Sequence, residues 1–160
     1  MIYVFLADGF EETEAIAPID MLRRAKLDVK LVGVGTSTPT SSHGIRVTAD
    51  LTEAEVKLDS SVQLIVLPGG MPGTLNLEKS PVVQSAIKYC VENGIPVGAI
   101  CAAPSILGKL GLLNGRKAVC FPGFEQYLTG AEVLNKLCVT DGQFTTACGA
   151  GAAIEFGLEL

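Results

Sequence analysis

The feature that most constrains this chain is an alternation of short apolar runs with longer stretches of helical period. IYVFLA (2–7), VKLVGV (29–34), VQLIVL (62–67), IPVGAI (95–100) and KAVC (117–120) are rich in β-branched or apolar residues and end in Gly, Pro or turn residues. Runs this short with little polar alternation read as strands buried on both faces. Between them, residues 11–25 place Ile16, Ile19 and Leu22 three apart, and residues 80–92 place Val83, Ile87 and Val91 four apart, both helical spacings. Ser80-Pro81 supplies an N-cap and a proline at the first helical position. Strands alternating with helices predict an α/β, doubly wound, mostly parallel sheet with helices on both faces.

Two stretches depart from that alternation. IRVTA (45–49) predicts a short half-buried strand, and CVTDGQFTTA (138–147) predicts a hairpin turning at Asp141-Gly142. The final GAGAAIEFGLEL predicts a helix entered through glycines and only about three turns long, so a C-terminal helix continuing beyond Leu160 is an open expectation. With 160 residues, 48% of them hydrophobic, and no repeat or linker, the chain is expected to form one domain over 1–160.

A net charge of -5 and no Lys/Arg cluster give little attraction for nucleic acid or anionic lipid. The apolar start lacks a basic n-region and meets Asp8, which reads as a strand rather than a signal peptide. The longest uncharged stretch, 93–108, is too short and too broken by prolines and glycines to span a bilayer, so a cytoplasmic location is expected. Five cysteines (90, 101, 120, 138 and 148) lack the close spacing of a zinc site and are expected to be reduced thiols.

In open α/β sheets, ligands bind beyond the carboxyl ends of strands. Three such places stand out. Ala99-Ile100-Cys101-Ala102-Ala103-Pro104 has the small residues a nucleophile elbow needs, with Cys101 at a strand-to-helix turn whose amides and dipole favour a thiolate. The alternative is that Cys101 fills core. Asp8 to Glu14 crowds acids into the first turn of a helix; Glu11 and Glu12 suit a solvated face, whereas Glu14 precedes apolar Ala15 and Ile16 and is expected to turn inward. A carboxyl beside a thiolate would retain one proton between the two groups. The turn Leu67-Pro68-Gly69-Gly70-Met71-Pro72-Gly73 could bring backbone amides to a reacting centre as an oxyanion hole, although Pro-Gly-Gly also serves ordinary turns.

Cys90, Cys120 and Cys138 read as structural, and Cys148 lies at a second strand-to-helix junction. His43, the single histidine, sits in a Ser/Thr/Gly-rich loop and would matter only within hydrogen-bond reach of Cys101.

DGFEETEAIAPIDMLRRA, VLPGG, AICAAP and GAGAAIEFGL, in that order and spread over the whole chain, resemble the motifs of the ThiJ/PfpI superfamily, in its DJ-one branch. The resemblance implies a flavodoxin-like fold, commonly a homodimer, with Cys101 as nucleophile, Glu14 as its acid partner, and Gly69, Gly70 and Ala102 at backbone positions of the site. It also marks departures. Ala102 stands where the protease branch has histidine, which disfavours proteolysis. Phe121 stands where the animal branch has a histidine before proline, His43 takes the place of an arginine, and Lys26 replaces a glycine after the first helix.

Three functions are compatible with these residues. One is a cysteine-dependent enzyme acting on small reactive dicarbonyls, of glutathione-independent glyoxalase or deglycase type, which requires no cofactor or metal. A second is a redox sensor or oxidative-stress protein using the same thiol. A third is a dimeric binding module with a vestigial elbow. Cys101 is expected to be the lowest-pKa thiol of the five.

Overall fold

Six consecutive buried residues, Ile2–Ala7, form β1 and run through the middle of the molecule. Successive strand residues point to opposite faces, so Tyr3, Phe5 and Ala7 enter one apolar core while Ile2, Val4 and Leu6 enter a second. The computed structural model describes all 160 residues. After β1 come α1 (Glu12–Arg24), β2 (Val29–Val34), β3 (Leu51–Thr52), β4 (Leu64–Leu67), α2 (Gly73–Lys79), α3 (Pro81–Asn93) and β5 (Val97–Ile100). Then follow α4 (Pro104–Lys109), β6 (Lys117–Ala118), β7 (Glu132–Val133), β8 (Cys138–Asp141), β9 (Phe144–Ala147) and α5 (Ala153–Glu159).

Seven strands make one sheet in the order β3-β2-β1-β4-β5-β9-β8, parallel throughout except for the β8–β9 hairpin. Ala15, Ile19 and Leu22 of α1 and Ala153 and Phe156 of α5 cover one face. Leu77 of α2, Val83 and Ile87 of α3, and Ile106 and Leu107 of α4 cover the other. This is the expected α/β, flavodoxin-like arrangement. No helix is long and apolar enough to cross a membrane.

Several local expectations need correction. Residues 45–49 form no strand: Arg46 makes an isolated bridge to Thr40, Ile45 is 52% exposed, and the edge of the sheet is taken by β3 instead. Val47 does pack against the core, but the segment bonds locally to residues 37–40 instead of joining the sheet, Val47 N–H donating to Pro39 O and Ala49 N–H to Ser37 O. The run 117–120 contributes only β6, which pairs with β7 in a separate two-stranded sheet because β9 already occupies the place beside β5. The glycine turn after β4 continues into α2, a short helix with a single fully buried leucine and no side-chain cap to announce it. On α1 the buried stripe is Glu14, Ala15, Pro18, Ile19 and Leu22, while Ile16 faces outward at 42% exposure.

The ends of the helices follow from their chemistry. The Ser80 hydroxyl accepts the Val83 N–H at 3.2 Å, capping α3 as the sequence predicts. At the other end of α1, Lys26 N–H donates to Arg23 O and Leu27 N–H to Leu22 O, the two bonds of a Schellman motif. That motif needs a left-handed residue, and Lys26 adopts φ +64 where glycine would fit without strain. Lys26→Gly should therefore raise unfolding stability by about 0.5–1 kcal/mol, relief of left-handed strain exceeding the added chain entropy. A higher urea midpoint at unchanged m-value would show it; a lower midpoint would contradict this account of the cap.

Candidate active site

Strands β2 and β3 lie on one side of β1, and β4 and β5 on the other, so the chain reverses direction across the sheet between β1 and β4. Such a switch point opens a crevice at the carboxyl ends of the strands. The loops after β1, β4 and β5 meet there, backbone against backbone. Glu11 N–H donates to Gly69 O at 2.9 Å and Gly73 N–H to Gly9 O at 3.2 Å. Gly70, at φ +91, fits because any Cβ would strike the Glu11 amide and the Gly9 carbonyl.

Cys101 follows β5 with φ +66, a left-handed conformation unusual for a residue with a Cβ. Its N–H donates to Ala147 O at 2.9 Å and its C=O accepts from Phe121 N–H at 2.8 Å, so neighbours on both sides hold the strained turn. This is the geometry of a nucleophile elbow. The thiol is only partly buried and opens, with Glu14, Met71, Phe121 and Phe124, onto a cavity of about 370 Å³.

Glu14 lies on the buried stripe of α1 and is 1% exposed. Its carboxyl accepts the Gly69 N–H at 3.0 Å and lies close enough to the Ala150 amide and the Cys101 thiol for both to pull its pKa down. A Cβ at Gly69 would sit 2.5 Å from Glu14 Oε2 and 2.6 Å from the Cys101 Cβ, so only glycine allows the two groups to meet. The five residues expected at the site are thus together, with one reassignment. The Gly69 amide is committed to the Glu14 carboxyl, and the amides of Gly70 and Ala102 are the ones that face the sulfur and pull its pKa down. Sequence reasoning missed Ala150 and the aromatic wall. The glycine-rich entry to α5 was the signal for the former; nothing local marked Phe121 and Phe124.

Protonation also differs from expectation. Burial pushes Glu14 up to about 7. Burial first, and then the charge of Glu14, push the Cys101 thiol up to about 12 against the pull of the Gly70 and Ala102 amides. Cys101 is therefore not set apart as an easily ionised thiol: burial raises it as it raises Cys90, Cys120 and Cys138. The first proton lost from the pair is Glu14's, and above neutrality one proton remains between carboxylate and sulfur.

His43 takes no part in this pair. Its side chain is 70% exposed and its Nδ1 lies 2.9 Å from Glu12 Oε1, a hydrogen bond that pushes the imidazole pKa up. Glu11, Glu12 and His43 have donor atoms within 4.8 Å of one another and are the one group of three spaced to hold a cation. The ion pair among them accounts for their proximity.

The DJ-1/PfpI family model matches residues 1–160. The chain belongs to that family. It is 39% identical over 163 residues to DJ-1 homolog B of Arabidopsis thaliana, covering 99% of this chain but spanning 36% of that protein's length. It is 32% identical to the glutathione-independent glyoxalase DJR-1.2 of Caenorhabditis elegans, over 94% of this chain and 80% of the relative. The oxidised Toxoplasma gondii DJ-1 structure superposes with a TM-score of 0.93 at 33% identity, covering 99% of this chain and 86% of that one.

A buried carboxyl whose pKa rises from 4.5 to about 7 binds its proton more tightly folded than unfolded. Its contribution to stability is complete below about pH 4.5 and is lost as pH rises through about 7, amounting to about 3 kcal/mol. Urea unfolding of the wild type between pH 4.5 and pH 8 should show that decline, and Glu14→Gln should remove most of it. An equal decline in both proteins would mean that Glu14 is not the buried titrating group.

Proposed function

We propose that this family member is a cysteine-dependent enzyme that converts small reactive dicarbonyls, with methylglyoxal as the simplest substrate and lactate as the product. The observation that carries the reading is the buried Glu14 carboxyl set against the Cys101 thiol on the wall of a cavity of small-molecule size. The worm relative's name supports the reaction class.

The chemistry uses one base. As Cys101 Sγ attacks the aldehyde carbon, the thiol proton passes to the Glu14 carboxylate, so no free thiolate need accumulate. The Gly70 and Ala102 amides, which face the sulfur at rest, are the donors proposed for the oxygen that gains charge. Glu14 returns the proton to that oxygen, giving a hemithioacetal. It then removes the hydrogen from the former aldehyde carbon to give an enediolate, the hydroxyl proton passes to the neighbouring oxygen, and Glu14 delivers its proton to the adjacent carbon, which leaves a lactoyl thioester. Water cleaves the C–S bond, releasing lactate and restoring the thiol. The net reaction is dicarbonyl plus water to hydroxy acid, so neither glutathione nor metal enters the balance.

Purified protein without glutathione or added metal should form lactate from methylglyoxal. Cys101→Ala should abolish this, and Glu14→Gln should lower kcat by about 10²–10⁴. Because the base must be ionised, kcat/KM should rise with pH through about 7, where Glu14 loses its proton. Lactate formation that survives in Cys101→Ala would sink the mechanism.

A redox-sensing role is the second reading, favoured by a strained, partly open thiol faced by two amides and by a relative whose structure is that of the oxidised protein. It predicts negligible lactate and a sulfinic acid on Cys101 at low peroxide. In either case the ligand is a small molecule. A homodimer and a cytoplasmic location belong to the same proposal, the first checked by sedimentation velocity.

A further inference from the structure

Four side chains that line the Cys101 cavity take no part in the steps above: Glu11, Met71, Phe121 and Phe124. Met71 and Phe121 are 48% and 46% exposed, so each presents apolar surface to an occupant. Phe121 N–H donates to Cys101 O at 2.8 Å and Phe124 N–H to Phe121 O at 3.1 Å, so one turn, anchored on the elbow, carries both rings. Phe124 also packs against the core and against Tyr127, with ring centroids 5.9 Å apart. The aromatic wall is thereby fixed beside the thiol.

The charged groups on the cavity are all of one sign. Glu11 and Glu14 line it, and no lysine or arginine does. The Glu11 backbone abuts Gly70, the glycine whose amide faces the sulfur. Burial is the first cause of the raised Glu14 pKa, and the negative charge of Glu11 adds to it, so that charge is felt at the reacting pair. His43 lies 3.6 Å from Glu11 and 2.9 Å from Glu12; one imidazolium facing two carboxylates leaves the cluster net negative even when protonated. An anion entering the cavity is brought against like charge at close range.

Resting on the dicarbonyl reading above, we infer that the cavity selects uncharged dicarbonyls bearing an apolar group of phenyl size, with Met71, Phe121 and Phe124 seating that group and Glu11 turning anionic compounds away. A methyl group covers little of the two rings, whereas an aryl group lies against them and withdraws their surface from water.

Two measurements test the inference. In turnover, kcat/KM for phenylglyoxal, read as mandelate, should fall about tenfold relative to that for methylglyoxal in Phe121→Ala and in Phe124→Ala. Taking the ratio within each protein cancels the intrinsic reactivity of the two aldehydes. An unchanged ratio in both variants would overturn the aryl seat. The second measurement is independent of turnover: Cys101 is alkylated with iodoacetamide or iodoacetate, and the label is read on that residue of the tryptic peptide 89–109, which also carries the buried Cys90. Relative to the same two rates on 2-mercaptoethanol, the wild type should take iodoacetate about tenfold more slowly than iodoacetamide, and Glu11→Gln should close most of that gap. Iodoacetate labelling Cys101 as readily as iodoacetamide in the wild type, or an equal gap in Glu11→Gln, would overturn the exclusion of anions. The expected labelling without turnover of either aldehyde would instead overturn the proposed reaction and uphold the selectivity of the cavity.

Discussion

A carboxyl group buried beside a thiol is the constraint around which the crevice is built. Neither group is easily ionised there, since burial raises both and the charge of one opposes the charge of the other. The surroundings compensate with backbone amides. Gly69 bonds the carboxyl and Ala150 faces it, Gly70 and Ala102 face the sulfur, and each of these amides lies just beyond a strand's end. Removing the side chains at 69 and 70 is what lets three backbones approach closely enough to supply them.

Two levels of structure are therefore tied together. The strand order places β1, β4 and β5 side by side, and their carboxyl ends bring Glu14, Gly69 and Cys101 together although they are far apart in sequence. The left-handed turn at Cys101 costs on the order of 1–3 kcal/mol and persists because its N–H and C=O are bonded to Ala147 and Phe121. Such strain is tolerable in a chain whose central strand is buried on both faces along all six residues.

That dependence explains what could be read from the sequence. Continuous apolar runs announced β1, β2, β4 and β5, since a strand buried on both faces has no polar alternation to confuse the reading. Glu14 and Cys101 were legible from the residues beside them, the one from the apolar residues that follow it and the other from the small residues that flank the turn. The hairpin was legible from Asp141-Gly142, and Gly142 indeed adopts φ +62. What escaped depended on tertiary partners. β6 pairs outside the main sheet because the hairpin takes its place, and Ile16 faces outward because the buried stripe of α1 is set by Glu14 and Pro18. The thiol's protonation escaped for the same reason: helix-dipole reasoning is local, whereas burial and the facing carboxylate are not.

Phe121, at the position where the resemblance to the animal branch implies a histidine, bears on which base the site can use. An imidazole at that place would offer a second proton acceptor beside the thiol and a polar face to the crevice. The phenyl ring instead lies against Gly149, whose hypothetical Cβ would stand 3.2 Å from Phe121 Cδ2 and 3.8 Å from Glu14 Oε1, so ring and carboxyl crowd the same glycine. Burial is the first cause of the raised Glu14 pKa, and Phe121 lends an apolar side chain to the same crevice. A carboxyl held near neutrality is a far better proton acceptor and donor than an ordinary one, because its two protonation states are close in energy at working pH. On the proposed mechanism, a phenyl ring at 121 offers the crevice no proton acceptor, which leaves Glu14, held near neutrality, as the base beside the thiol.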